Sequence, residues 1–340
     1  MSIEKIGKKL QILVTGGAGF IGTHLVNTLV RDYTAPIIDV VDNLSNSVMP
    51  ERRLAFYKRH GITFYQQSVE DFLPSISRRY DYIYHLASPV GPAGVLKYAG
   101  RMAAMILNDS IQMAELALAH DAKLLTVSTS EVYGQNPLND QPQPEDLPKI
   151  VPAKVTVRLE YGVSKLITEI ALLNLVKERP LKVNFIRPFN IVGPHQNGEA
   201  GFVLPRFVDA ALKNEPITIF GDGLQRRTFT HVSDIVHAFV MLMESDHVGK
   251  IYNVGNAKNI SSIKELAHKV VSMTNSQSEI RCIDPKIIYG KHYEEAWNKI
   301  PDITRIQKDL GWEPIFSFDR ILTEYIDFAQ GKLDFMNPQF

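Results

Sequence analysis

The sequence predicts an α/β fold: a doubly wound parallel sheet with a smaller mixed α/β C-terminal substrate lobe. Three observations predict it. Short β-branched runs alternate with helix-length segments through the first half of the 340 residues. Strand, helix, strand at this spacing implies parallel strands joined by right-handed crossovers. The first run ends in a cluster of glycines, and a helix-length segment near the middle sets a tyrosine and a lysine four apart.

Taken in order, "LQILVT" (10–15) is a strand running into glycines, and "IIDVVD" (37–42) and "ITFYQQ" (62–67) are the second and third strands. "YDYIYHLAS" (80–88) and "KLLTVSTS" (123–130) follow as the fourth and fifth. Helices are expected over 20–31, 49–59 and 99–119. The stretch 135–155 carries five prolines and reads as a surface loop. A long helix spans about 156–178, and "LKVNFIRP" (181–188) is a further buried strand. Beyond it, short strands (217–220, 250–253) mix with helices (201–213, 232–244, 261–273, 317–329). Residues 1–190 form the expected dinucleotide-binding unit. Residues 191–340 form mainly a substrate-binding lobe, interleaved with the sheet.

Composition excludes several classes. Thirty-seven basic side chains balance 37 acidic ones, so neither nucleic acid nor an anionic membrane is expected as a partner. The lone Cys282 excludes an internal disulfide, and no cluster has metal spacing. No run is long and apolar enough for a bilayer, and "MSIEKIGKKL" lacks a signal-peptide core. These features predict a cytosolic protein.

"VTGGAGFIG" follows a predicted strand and opens a predicted helix, with Gly16, Gly17, Gly19 and Gly22 in the turn. Glycines permit a tight turn and close backbone approach to a pyrophosphate, and the helix N-terminus offers free N–H groups. About twenty residues on, Asp42 ends the second strand. A carboxylate there accepts hydrogen bonds from a ribose diol and repels a 2′-phosphate. The prediction is a Rossmann-type domain binding NAD in preference to NADP, through Gly16, Gly19, Phe20, Ile21, Gly22, Asp42 and Asn43. Leu86, Ala87, Ser88 and Lys165 are expected as further cofactor contacts.

In "EYGVSK" (160–165), helical spacing puts Tyr161 and Lys165 on one face. Alone, the pair fits an ordinary amphipathic surface helix. Beside a dinucleotide site it fits chemistry. An ammonium near a phenol lowers its pKa from about 10 toward working pH. The phenolate then takes a proton from a sugar hydroxyl while the nicotinamide takes hydride from the same carbon.

The glycine loop, Tyr161-x-x-x-Lys165 and "STSEVYG" (128–134) together resemble the extended short-chain dehydrogenase/reductase family, in its nucleotide-sugar branch of epimerases, dehydratases and decarboxylases. "VVDNLSNS" (40–47), "RPFNIVGP" (187–194), "FGDGLQRRTFTHVSD" (220–234), "IYNVGN" (251–256) and "PDITRIQKDLGWEP" (301–314) fit the pattern in order. The resemblance implies retained NAD that is reduced and reoxidised in each cycle, a nucleotide-diphosphate sugar substrate, and a homodimer.

The resemblance also assigns roles. Thr129 falls on the catalytic Ser/Thr. The next pair, Ser130-Glu131, resembles UDP-glucuronate decarboxylases, whereas similar 4,6-dehydratases carry Asp-Glu and many 4-epimerases carry two residues that do not ionise. Oxidation at C4 gives a β-keto acid that loses CO2. Glu131 would hold or relay a proton, and Ser130 would orient the carboxylate. Epimerisation at C4, 4,6-dehydration and net C4 oxidation remain alternatives. Arg227 matches a pyrophosphate-binding arginine and Asn190 a diphosphate contact. Arg206 and Arg158 are further substrate candidates. The chain departs from the pattern at Lys299, where the decarboxylases have arginine, and at Ser68, where an Asp usually contacts adenine. His85, His195 and His231 read as structural.

Overall fold

The computed structural model describes residues 6–7, 9–47, 49–134, 141–151, 155–198, 201–284, 287 and 298–333. The first half is built from β1 (Gln11–Thr15), α1 (Phe20–Asp32), β2 (Ile37–Val41), α2 (Glu51–Arg59), β3 (Thr63–Tyr65) and α3 (Val69–Phe72). It continues through β4 (Tyr82–His85), α4 (Gly91–Lys97), α5 (Met102–His120), β5 (Lys123–Val127), α6 (Val157–Glu178) and β6 (Lys182–Pro188). Seven strands form one sheet in the order β11-β6-β5-β4-β1-β2-β3, with β11 spanning Ile251–Val254. Every pairing in it is parallel. Ile12, Leu13 and Val14 of β1 are fully buried, as expected of a parallel strand covered by helices on both faces.

The strand order reverses between β1 and β4, and the crevice at their carboxyl ends is where such sheets hold ligands. β11 and the intervening helix α8 (Val232–Glu244) come from the second half of the chain yet pack with the sheet: Val236, Phe239 and Leu242 share one apolar core with Val14, Leu25 and Ile186.

A second core belongs to the remaining elements. It joins Leu204 and Phe207 of α7 (Val203–Leu212), Ile217 and Ile219 of β8 (Ile217–Phe220), Leu266 and Val270 of α9 (Ile263–Thr274), and Ile321 and Tyr325 of α11 (Phe318–Ala329). The short pieces β7 (Ile191–Val192), β9 (Arg226–Thr228), β10 (Thr230–His231), β12 (Ile260–Ser262), β13 (Ile280–Ile283) and α10 (Thr304–Leu310) complete the described chain.

The predicted strands and long helices all form, most of them with ends shifted by one to three residues. Helices α3, α4 and α10 and strands β7, β9, β10, β12 and β13 were not anticipated, because such lengths carry too little periodicity. The proline-rich stretch needs correction. Residues 135–140 and 152–154 lie outside the described residues, but Gln143, Glu145 and Leu147 are buried. Gln143 N–H donates to Ile300 O (2.9 Å), Asp302 N–H to Gln143 O (3.2 Å), and Asn253 N–H to the Glu145 carboxylate (2.9 Å). The Gln143 main chain therefore ties this strap to the segment after Lys299, and the Glu145 carboxylate ties it to the backbone of β11.

Candidate active site

A cavity of about 1620 Å³ opens at the switch point and runs toward the second lobe. One end is made by backbone. Gly16 has φ +71°, and a Cβ there would lie 2.7 Å from Ala87 N, so the loops after β1 and β4 touch only because position 16 has no side chain. A Cβ at Gly22 would lie 2.3 Å from Gly16 O, which fixes how closely α1 approaches the turn. Asp42 lines the cavity beside it. Its carboxylate accepts from Ala18 N–H (3.1 Å), Leu44 N–H (2.8 Å) and the Ser47 hydroxyl (2.9 Å). The cradle therefore fits a dinucleotide: a side-chain-free turn for the diphosphate and an oriented carboxylate for a ribose diol. Phe20, Ile21, Asn43, Leu86, Ala87 and Ser88 line the same cavity. Gly22→Ala is expected to purify without NAD, binding it more than about tenfold more weakly (1.4 kcal/mol); cofactor released on denaturation measures this.

Past the cradle, β5 and α6 bring the chemistry together. Thr156 caps α6 by accepting from Leu159 N–H (3.1 Å), which starts the helix one turn before Tyr161. Tyr161, Lys165, Thr129, Ser130 and Glu131 all line the cavity. The Thr129 side chain faces the Tyr161 phenol closely enough to lower its pKa. Lys165 Nζ donates to Val127 O (2.9 Å). Burial pushes the phenol above its ordinary value and the Glu131 charge adds to the rise, while Thr129 opposes both. This corrects the expectation that Lys165 would bring the phenol down. Lys165 is itself pushed down to about 8 by burial, although Asp109 and Glu169 favour its charged form.

At the substrate end, Glu131 is held between two cations. Arg158 Nε donates to Oε2 (2.7 Å) and Nη2 to Oε1 (2.8 Å), and Lys299 Nζ donates to Oε1. Burial alone would raise the Glu131 carboxyl, but Arg158 and Lys299 together hold it far below the usual carboxylate range. It is therefore a fixed anion, not the proton store expected from the sequence. Lys299 is buried behind it, and burial pushes its ammonium down to about 8. Asn190, Arg206 and Arg227 line the cavity farther along. The Asn190 side-chain amide N–H2 is buried without a hydrogen-bond partner among the described residues, an orphan donor suited to a phosphate oxygen. Arg206 donates to Thr218 O (3.1 Å) with its guanidinium over the Phe220 ring.

The family model for the NAD-dependent epimerase/dehydratase family matches residues 12–255. The chain belongs to that family. A UDP-N-acetyl-alpha-D-glucosaminuronate decarboxylase of Bacillus cytotoxicus is 30% identical over 94% of this chain and 97% of its own length. UDP-glucuronic acid decarboxylase 2 of Arabidopsis thaliana is 35% identical over 95% of this chain and 69% of its own length. Among solved structures, a UDP-glucose 4-epimerase of Thermotoga maritima with UDP-glucose superposes with a TM-score of 0.80 at 29% identity, over 96% of this chain and 100% of that one.

As a member of the NAD-dependent epimerase/dehydratase family the chain is an NAD-dependent enzyme, and the geometry revises several sequence assignments. Lys299 reaches the cavity only through Glu131. Ser68 is occupied as the cap of α3: it accepts from Asp71 N–H (3.1 Å) and donates to the Asp71 carboxylate (2.6 Å). Ser68 lines the cavity together with its neighbour Gln67 and Gln112 of α5, and both glutamines have a buried amide oxygen lacking a partner among the described residues. Orphan acceptors suit an adenine amino group; the sequence gives no sign of them because glutamine has no motif here. His85 is buried between Thr15 (2.8 Å) and Ser110 (3.3 Å), and His231 caps α8 by accepting from Ser233 N–H (3.2 Å). His195, read as structural, lines the cavity.

Proposed function

We propose that this family member acts on a UDP-linked hexuronate, oxidising C4 and releasing CO2 from the 4-keto acid, with UDP-glucuronate going to UDP-xylose or its 4-keto form. The observation that carries this reading is the Arg158–Glu131–Lys299 trio beside Thr129 and Tyr161. Two cations against one anion leave it one positive charge, which favours a sugar bearing a carboxylate. The names of the two relatives described above point the same way.

Bound NAD supplies the acceptor for the two electrons that leave C4 with its hydrogen. Tyr161 takes the C4 hydroxyl proton, and Thr129 hydrogen-bonds the same oxygen. Lys165, charged below about pH 8, donates to Val127 O and so fixes the end of β5 beside the phenol. Once C4 is a ketone, the bond from C5 to the carboxylate breaks and its electron pair enters an enolate on O4, where Thr129 and the reprotonated Tyr161 hold the charge. C5 then takes a proton. Ser130, buried at the cavity wall, orients the carboxylate. With Ser130 beside it and Glu131 locked as an anion, this pair offers no acid for a leaving hydroxyl, which disfavours the 4,6-dehydratase alternative.

Arg227, Asn190 and Arg206 hold the diphosphate and nucleotide. Incubation of the purified protein with UDP-glucuronate, followed by mass spectrometry, tests the proposal. Loss of one CO2 is expected. Unchanged mass with a new isomer gives the 4-epimerase reading, which the Thermotoga structure favours, and inertness removes this substrate. Both Lys165 and Lys299 lose their charge as pH rises through about 8. Activity is therefore expected to fall above that pH, with KM for the uronate rising as the trio loses its net charge.

The proposed setting is the cytosol, in keeping with the single, exposed cysteine, and no helix among the described residues is long and apolar enough to cross a membrane. The proposed assembly is a homodimer through α5 and α6, whose outer faces expose Ile111, Val163, Ile167 and Ile170. Ile167→Glu is expected to run as a monomer in light scattering.

A further inference from the structure

We infer that Glu169, clamped by Arg187, is a positioning residue that sets the distance between Thr129 and Tyr161 through Ser128. The inference rests on the proposed roles of Thr129 and Tyr161. Three consecutive residues at the end of β5 each meet α6. Val127 O accepts from Lys165 Nζ (2.9 Å), the Ser128 hydroxyl donates to Glu169 Oε1 (2.5 Å), and the Thr129 side chain faces the Tyr161 phenol closely enough to lower its pKa. Their partners, residues 161, 165 and 169, repeat every four positions and so share one face of the helix. The result is a three-rung ladder with catalytic groups on two rungs and no reacting group on the third.

The third rung is unusually well anchored. Glu169 is 1% exposed and Arg187 is 2% exposed. Arg187 Nε donates to Oε1 (2.9 Å) and Nη2 to Oε2 (2.5 Å), so both carboxylate oxygens are held in one plane. The remaining Arg187 donor, Nη1, reaches the Tyr133 hydroxyl (2.9 Å) and Glu145 O (3.1 Å) of the buried strap. The Tyr133 hydroxyl donates in turn to Asn253 Oδ1 (2.6 Å) on β11. A buried ion pair is a poor source of stability compared with apolar residues of the same volume. What it supplies here is direction: a carboxylate with one allowed orientation, aimed at the hydroxyl next to Thr129. Lys165 also feels this carboxylate, together with Asp109 from α5, while burial and the Lys165 charge keep His85 of β4 neutral.

Two variants separate positioning from support. Ser128→Ala removes one hydroxyl and no charge. Glu169→Leu/Arg187→Leu removes the ion pair without leaving a charge buried, so its melting temperature is expected to hold or rise. In both, the single-turnover rate of C4 oxidation is expected to fall about ten- to hundredfold with KM unchanged. The Tyr161 phenol, followed as the ultraviolet difference from Tyr161→Phe, is expected to titrate at higher pH than in the parent. Parental rate and parental phenol titration in Ser128→Ala overturn the inference, and that variant decides the matter if the double variant does not fold. Should the parent leave UDP-glucuronate untouched, the substrate reading fails, while the phenol titration still tests the ladder.

Discussion

Tyr161→Phe is expected to keep its NAD and to lose the reaction by about 10²–10⁴-fold, the usual contribution of a positioned proton-transfer group. The substitution removes one oxygen. The ring packs against Val95, Met102 and Ile106, so phenylalanine preserves that contact and the fold. The glycine cradle and Asp42 are remote from the change, so cofactor content stays at the parental level. What disappears is the base that takes the C4 proton and the donor that later steadies the enolate. Burial raises the phenol and Thr129 pulls it back, so the positive charge of bound NAD would have to complete its ionisation. Spectroscopic measurement of bound NAD, followed by its reduction on adding the nucleotide sugar, checks both halves. Full reduction in the variant removes Tyr161 from the mechanism.

Much of this site was legible because it depends on local pattern. A glycine turn, an acidic residue at the end of β2 and an i, i+4 pair on α6 are dictated by short-range geometry, and the fold puts them at one crevice. Partnerships across long sequence separations were not legible. Nothing in "WNKIPDI" tells that Lys299 turns inward to Glu131, 168 residues earlier in the chain. Nothing in the prolines of the strap tells that Gln143 and Glu145 bind the backbone of β11 and of the segment after Lys299. Glu131 is the instructive case. Its position could be assigned from sequence but its protonation state could not, because that depends on Arg158 and Lys299 arriving together.

Glu131→Gln tests that dependence and carries the largest expected structural cost at the site. The amide keeps the volume of the carboxylate and removes its charge, so Lys299 and Arg158 face one another with no anion between them. Breaking a buried pair by deleting one partner costs about 3–5 kcal/mol. The lower end applies because the Glu131 side chain retains 21% of its exposure while that of Lys299 retains 3%. With its favourable partner gone, the Lys299 pKa moves further down from about 8, so the residue becomes neutral within the working range. Denaturant melts of the parent, Glu131→Gln, Lys299→Met and the double variant form a cycle. The double variant is expected to recover most of the stability, because no unpaired buried cation remains at position 299. It is not expected to recover turnover, because the net positive charge and the oriented Arg158 that the proposal assigns to the uronate depend on the intact trio. Recovery of both together would make Glu131 a structural counter-ion alone, and would move recognition of the sugar carboxylate elsewhere in the cavity.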